Sequence, residues 1–126
     1  MQLHKIQQQK LLSEPFTKDA LKLARAIYNT YRNNDDDLCM TIKLSTIISL
    51  LGLREGEESI EYIESLLEEL NEPIAVKNFK FFAKVYPLRF VVFCKYSMND
   101  DIIDIELSDE YLEVESKYMI DSFLSN

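Results

Sequence analysis

Apolar residues recur along this chain first at helical spacing and then, beyond Pro73, at alternate positions. In "TKDALKLARAIYNTYR" the residues Ala20, Leu21, Ala24, Ile27, Tyr28 and Tyr31 fall three or four apart, which predicts a helix with one core-facing side. Thr17 stands where its hydroxyl can cap that helix, and Asp19 in the first turn complements the helix dipole. A shorter helix is expected ahead of it in "QLHKIQQQKLL", and "RNNDDD" closes the longer one with a polar turn. "LCMTIK" reads as a short strand. Ser45 is placed to cap the helix "STIISLLGL", and Gly52 suits its left-handed closing residue. After the loop "REGEE", Ile60, Ile63, Leu67 and Leu70 form the stripe of another helix, flanked by Tyr62 and Leu66 and stopped by Pro73.

The period then changes to two. "IAVKNFKFFAKVY" puts Phe79, Phe81, Ala83 and Val85 on one face and Lys80, Phe82, Lys84 and Tyr86 on the other. "LRFVVFCKYS" puts Leu88, Phe90, Val92, Cys94 and Tyr96 on one face and Arg89, Val91, Phe93 and Lys95 on the other. "MNDD" is a turn, and "IIDIEL" a third strand with Ile103, Ile105 and Leu107 inward. Ser108 is placed to cap a last helix with Tyr111, Val114, Tyr118 and Phe123 on its apolar face. A strand leading into two helices joined by a short loop, then a hairpin, predicts an α+β winged helix with extra N- and C-terminal helices. With no internal repeat and no Gly/Ser linker, residues 1–126 read as a single domain.

Composition adds bounds. With 126 residues, 47% hydrophobic and 29% charged, the chain is globular and can bury a core without metal or disulfide staples. No apolar run approaches the roughly 20 residues of a membrane span, and the start lacks the apolar stretch of a secretory signal. A cytoplasmic, non-membrane protein is expected. Cys39 and Cys94 each lie among apolar residues and read as buried, reduced thiols.

The net charge of −8 is sharply segregated. Residues 1–33 carry six bases against two acids, and residues 74–98 carry five bases and no acid. Residues 55–72 hold eight glutamates and no lysine or arginine. Phosphates would repel such a helix, and it offers no base to read guanine, so insertion into a DNA groove is disfavoured. The exposed acids Glu57, Glu58, Glu61, Glu64 and Glu68 read as a solvated face opposite the core stripe, or as a protein-binding face. The hairpin is the better DNA candidate. Lys77, Lys80, Lys84, Arg89 and Lys95 can lie along a phosphate backbone, with Phe82, Tyr86, Val91 and Phe93 interleaved. Two other readings stay open: the aromatics pack beneath the terminal helices while the lysines guard strand edges, or Phe82, Tyr86 and Phe93 form a subunit or partner seam.

Catalytic chemistry finds no footing. His4 is the sole histidine, no acid–histidine–nucleophile set exists, and two cysteines with one histidine give no zinc spacing. "NNDDD" lacks the glycine and distal glutamate of a calcium loop, and no glycine-rich phosphate loop is present. No metal, small-molecule cofactor or enzymatic activity is expected.

Residues from about 41 to 112 resemble the first winged-helix domain of the iteron-binding Rep family of plasmid replication initiators. The resemblance is carried by "TIKLSTIISLLGL", by "IEYIESLLEEL", and by the hairpin ending "IIDIELSDEYL", with "KDALKLARAIYNTYR" where that family has its first packed helix. It implies a domain that dimerises in the inactive protein and contacts DNA in the active one. The family's second, repeat-reading winged helix would follow beyond Asn126.

Overall fold

Residues 15–119 and 123–124 are described in the computed structural model. The short helix expected over residues 2–12, and His4 with it, falls outside them. Helix α1 (Lys18–Asn33) buries Ala20, Leu23, Ala24 and Ile27 completely. Leu23 takes the core position expected of Leu21, which is half-buried. Thr17 does not cap its own helix. Its backbone N–H and its hydroxyl both donate, at 2.8 Å, to the Glu69 carboxylate, which orients the side chain toward that charge instead of toward the orphan N–H groups of its own first turn. The Tyr62 hydroxyl donates in turn to Asp19, so two side-chain contacts fasten the start of α1 to the glutamate helix. Beyond α1, Asp35 and Asp36 are left-handed, and the Asp37 carboxylate accepts from the Cys39 N–H.

Strand β1 (Cys39–Lys43) runs without a loop into α2 (Leu44–Leu51). Lys43 therefore sits at the cap position, and Ser45 is an exposed first-turn residue rather than a cap. The buried Leu44 forces this start, since its N–H donates to the Asp101 carbonyl at 2.7 Å. Gly52 closes α2 at φ 66, as expected. In α3 (Glu57–Leu70) the buried side chains are Ile63, Leu66, Leu67 and Leu70; Ile60 is half-buried, so the stripe is rotated slightly from the one expected.

The strands differ most from expectation. The single long hairpin over 74–97 is absent. The chain reverses at Phe82–Ala83, giving β2 (Ile74–Phe81) and β3 (Lys84–Val91) as a separate antiparallel ribbon. It breaks again at Val92–Phe93, and β4 (Cys94–Asn99) joins β5 (Ile102–Leu107) and β1 in a second antiparallel sheet of order β1-β5-β4. Within the ribbon, Asn78 is left-handed at φ 53, which resets the alternation. Ile74 and Val76 face inward before it, and Phe79 after it. In the three-stranded sheet, Met40, Ile42, Ile103, Ile105 and Leu107 point to the core, the last three as expected. Helix α4 (Asp109–Lys117) follows, its Tyr111 N–H capped by the Ser108 hydroxyl as its sequence predicts. The fold is mixed α+β with antiparallel sheets.

Cys94 is buried, but Cys39 occupies an outward position of β1 and is exposed, contrary to the expectation of two buried thiols. Among the described residues no helix is long and apolar enough to cross a membrane.

Candidate functional site

The β2–β3 ribbon has two unlike faces, set by its register. On one face Val76 lies opposite Arg89, Phe79 opposite Tyr86, and Phe81 opposite Lys84. This face packs on the end of α4. Phe79 stacks on Phe81 and Tyr86 with centroids 5.8 and 6.3 Å apart, and Tyr118 tilts against Phe79 at 5.5 Å. The Tyr118 hydroxyl accepts from the Lys80 backbone N–H at 2.8 Å and donates to the Asn78 carbonyl at 3.2 Å. Arg89 lies 4.6 Å over the Tyr86 ring and forks onto Glu110 through two hydrogen bonds of 3.0 and 2.8 Å. Those hydrogen bonds hold the guanidinium above its ordinary pKa.

The opposite face carries Ala75 beside Phe90, Lys77 beside Leu88, and Lys80 beside Val85. It is open. Val85 is 60% exposed, Leu88 50% and Phe90 51%, and Phe82 at the turn reaches 84%. Lys77 and Lys80 are exposed, and among the described residues neither makes an ion pair; Lys84, near the tip, lies 5.6 Å from the Tyr86 ring.

The five expected DNA-contacting bases therefore do not form one patch. Lys77 and Lys80 share the ribbon's open face, while Lys84 stands near the tip on the other face, beside Tyr86. Arg89 turns to the covered face and is neutralised by Glu110. Lys95 sits on the exposed side of the three-stranded sheet, in register with Glu106. The interleaved aromatic face does not form either. Phe93 is fully buried, with the Phe16 and Tyr111 rings edge-on to it, and Val91 is buried as well, so neither is open to a partner. Tyr86 is half-buried beneath Arg89, and Phe82 alone of that set is fully open. Val85, Leu88 and Phe90 were not singled out in the sequence. Their exposure follows from the reset at Asn78, which leaves no mark on a period-2 pattern read straight through.

On α3, Glu57, Glu58, Glu61, Glu64 and Glu68 are all exposed, and among the described residues none forms an ion pair. Glu69 is the exception in that helix, engaged by Thr17. Burial, and then the Glu68 and Glu64 charges, push the Tyr96 phenol above its ordinary pKa. Across the three-stranded sheet an open cleft of about 590 Å³ is lined by Thr41, Lys95, Ser97, Asp104 and Glu106. Its Asp104 is occupied, accepting from the Thr41 hydroxyl at 2.8 Å and from the Asn99 amide at 3.1 Å. Among the described residues no group of histidine, cysteine, aspartate or glutamate side chains could hold a metal ion. The arrangement offers surfaces for binding. Compared with family models, with curated proteins and with solved structures, the chain matches none of them.

Proposed function

We propose that this chain is a non-enzymatic binding domain of winged-helix architecture, related to plasmid replication initiators, that acts in the cytoplasm by self-association and by engaging a protein partner through the outer face of the β2–β3 ribbon. The architecture is supported by the succession β1, α2, α3 and the β4–β5 hairpin, with β1 paired to the hairpin's second strand. In this reading β4–β5 is the wing, and β2–β3 is an insertion between the helix pair and the wing. That reassigns the cationic hairpin from wing to insert.

One observation carries the functional reading. The outer ribbon face holds three large exposed apolar side chains, Val85, Leu88 and Phe90, with Phe82 exposed at the adjoining turn, while the inner face is covered by α4. Contiguous apolar exposure beside lysines is the composition of a protein contact, since phosphates reward only the lysines. DNA is the second reading, favoured by three exposed lysines on the ribbon, Lys77, Lys80 and Lys84, in a stretch with no acid from residue 74 to 98. Fluorescence anisotropy with a labelled duplex across a salt series separates the two. Three phosphate contacts give a log–log salt slope of about −2.7. The protein reading expects equal, weak signals from the wild type and from the Lys77→Glu/Lys80→Glu/Lys84→Glu variant. A slope near that value, lost in the variant, would overturn it in favour of DNA.

A further inference from the structure

Resting on that reading, we propose that the ribbon's outer face docks on the carboxylate face of α3 in a second copy of the chain, a head-to-tail contact. The two surfaces are opposite in sign. Lys77 and Lys80 stand on the ribbon's outer face, with Lys84 near its tip and no acid between residues 74 and 98, and Glu57, Glu58, Glu61, Glu64 and Glu68 stand on α3 with no base between residues 55 and 72. Like-with-like pairing is excluded by the same charges. Two ribbons laid face to face would set lysines against lysines around Leu88 and Phe90, and two α3 helices would set five carboxylates against five. The crossed contact is the one that satisfies both surfaces.

The spacing also matches. Lys77 and Lys80 are three strand residues apart, at most about 10 Å. Glu61 and Glu68 are seven helical residues apart on one side of α3, about 10.5 Å. Tyr62, 38% exposed among the glutamates, supplies apolar surface to meet Leu88 or Phe90. Phe82 adds an independent indication. It holds a left-handed turn position, φ 57, where glycine or asparagine is unstrained, yet it carries a ring that is 84% exposed. Its ring meets Phe81 edge-on at 4.6 Å and leaves its remaining surface free for another molecule. Because ribbon and α3 are different patches, the contact is heterologous, and copies add end to end unless rotation closes them into a ring.

A charge-exchange experiment decides it. Sedimentation velocity at low ionic strength is expected to show the wild type growing in mass with concentration, and weakening at least tenfold at about 1 M salt, where charge interactions are screened within roughly 3 Å. The ribbon variant Lys77→Glu/Lys80→Glu/Lys84→Glu and the helix variant Glu57→Lys/Glu61→Lys/Glu64→Lys/Glu68→Lys are each expected to stay monomeric. Mixed, they restore association, because each supplies the sign the other lacks. All seven side chains are exposed, and circular dichroism checks that both variants fold; Phe90→Ser, which leaves every charge in place, is expected to weaken wild-type association about tenfold. A monomeric wild type, or a mixture that remains monomeric, overturns the inference. Association lost in the ribbon variant but kept in the helix variant overturns α3 as the docking face and leaves the ribbon's role intact.

Discussion

Phe82 and Phe93 lie at opposite extremes of exposure, and their substitutions should behave accordingly. Phe93 is wholly buried against Phe16 and Tyr111, so Phe93→Ala removes a full aromatic side chain from the core and is expected to cost about 3–5 kcal/mol in urea unfolding. Phe82→Gly relieves a left-handed residue at the expense of one edge-on contact with Phe81, so unfolding stability is expected to change by less than about 1 kcal/mol while self-association weakens. A Phe82→Gly protein that associates as well as the wild type would remove the tip from the contact. Tyr111 is a different residue-scale case. Burial, and then Glu115, which accepts its hydroxyl at 3.0 Å, hold the phenol well above its ordinary value of 10.0. A folded-state pKa above the unfolded one means the stability from this group is complete below pH 10 and declines as pH climbs past it. Tyr62, raised by its hydrogen bond to Asp19, acts with the same sign. Urea midpoints measured from about pH 9 to about pH 11 should therefore fall in the wild type and fall less steeply in Tyr111→Phe. Equal slopes would mean that another group governs the alkaline limb.

At the scale of elements, Gly52 gives a clean measure of what backbone conformation alone contributes. An added Cβ there would meet no atom within 4 Å, so Gly52→Ala is expected to lose about 1 kcal/mol through its positive φ without any clash, read as a shift in the unfolding midpoint. Elements like this one were legible because their signal is local: Gly52 ends a helix, Ser108 starts one, and Ile103, Ile105 and Leu107 alternate without interruption. The ribbon was not legible for equally local reasons. Its reversal is made by Phe82 and Ala83, neither of which is a turn-forming residue, whereas Pro87, which looks like the turn, sits within β3 facing the left-handed Asn78. Where two wrong-looking residues replace one right-looking one, periodicity groups the wrong residues: Val85 reads as sharing a face with Phe79 and Phe81, whereas it lies opposite Lys80 on the open face. Thr17 and Ser45 failed as caps because partners distant in sequence, Glu69 and Asp101, decide those two helix starts. The basic and acidic surfaces, by contrast, were visible as runs of like charge; only their division between faces needed the register.

For the molecule as a whole, the two sheets should differ in how they open. β5 is paired on both sides, by β1 and β4, and its Ile103, Ile105 and Leu107 are core residues. β2 and β3 pair only with each other, and a lone two-stranded ribbon is marginal in water. What holds its far half is α4, through the Tyr118 ring on Phe79, the two hydrogen bonds of the Tyr118 hydroxyl, and Arg89 on Glu110. Native-state hydrogen exchange is therefore expected to show β5 amides released only by global unfolding, and amides from Lys80 to Val85 released by a cheaper local opening. Tyr118→Phe keeps the ring and removes both hydrogen bonds, a net loss of about 1–2 kcal/mol, so exchange at the Lys80 amide should quicken roughly tenfold. The β5 amides should keep their rates, because neither hydrogen bond reaches the three-stranded sheet. If β5 and the distal ribbon lose protection in step, the two sheets form one cooperative unit, and the ribbon cannot be treated as an arm that bends or docks independently of the core.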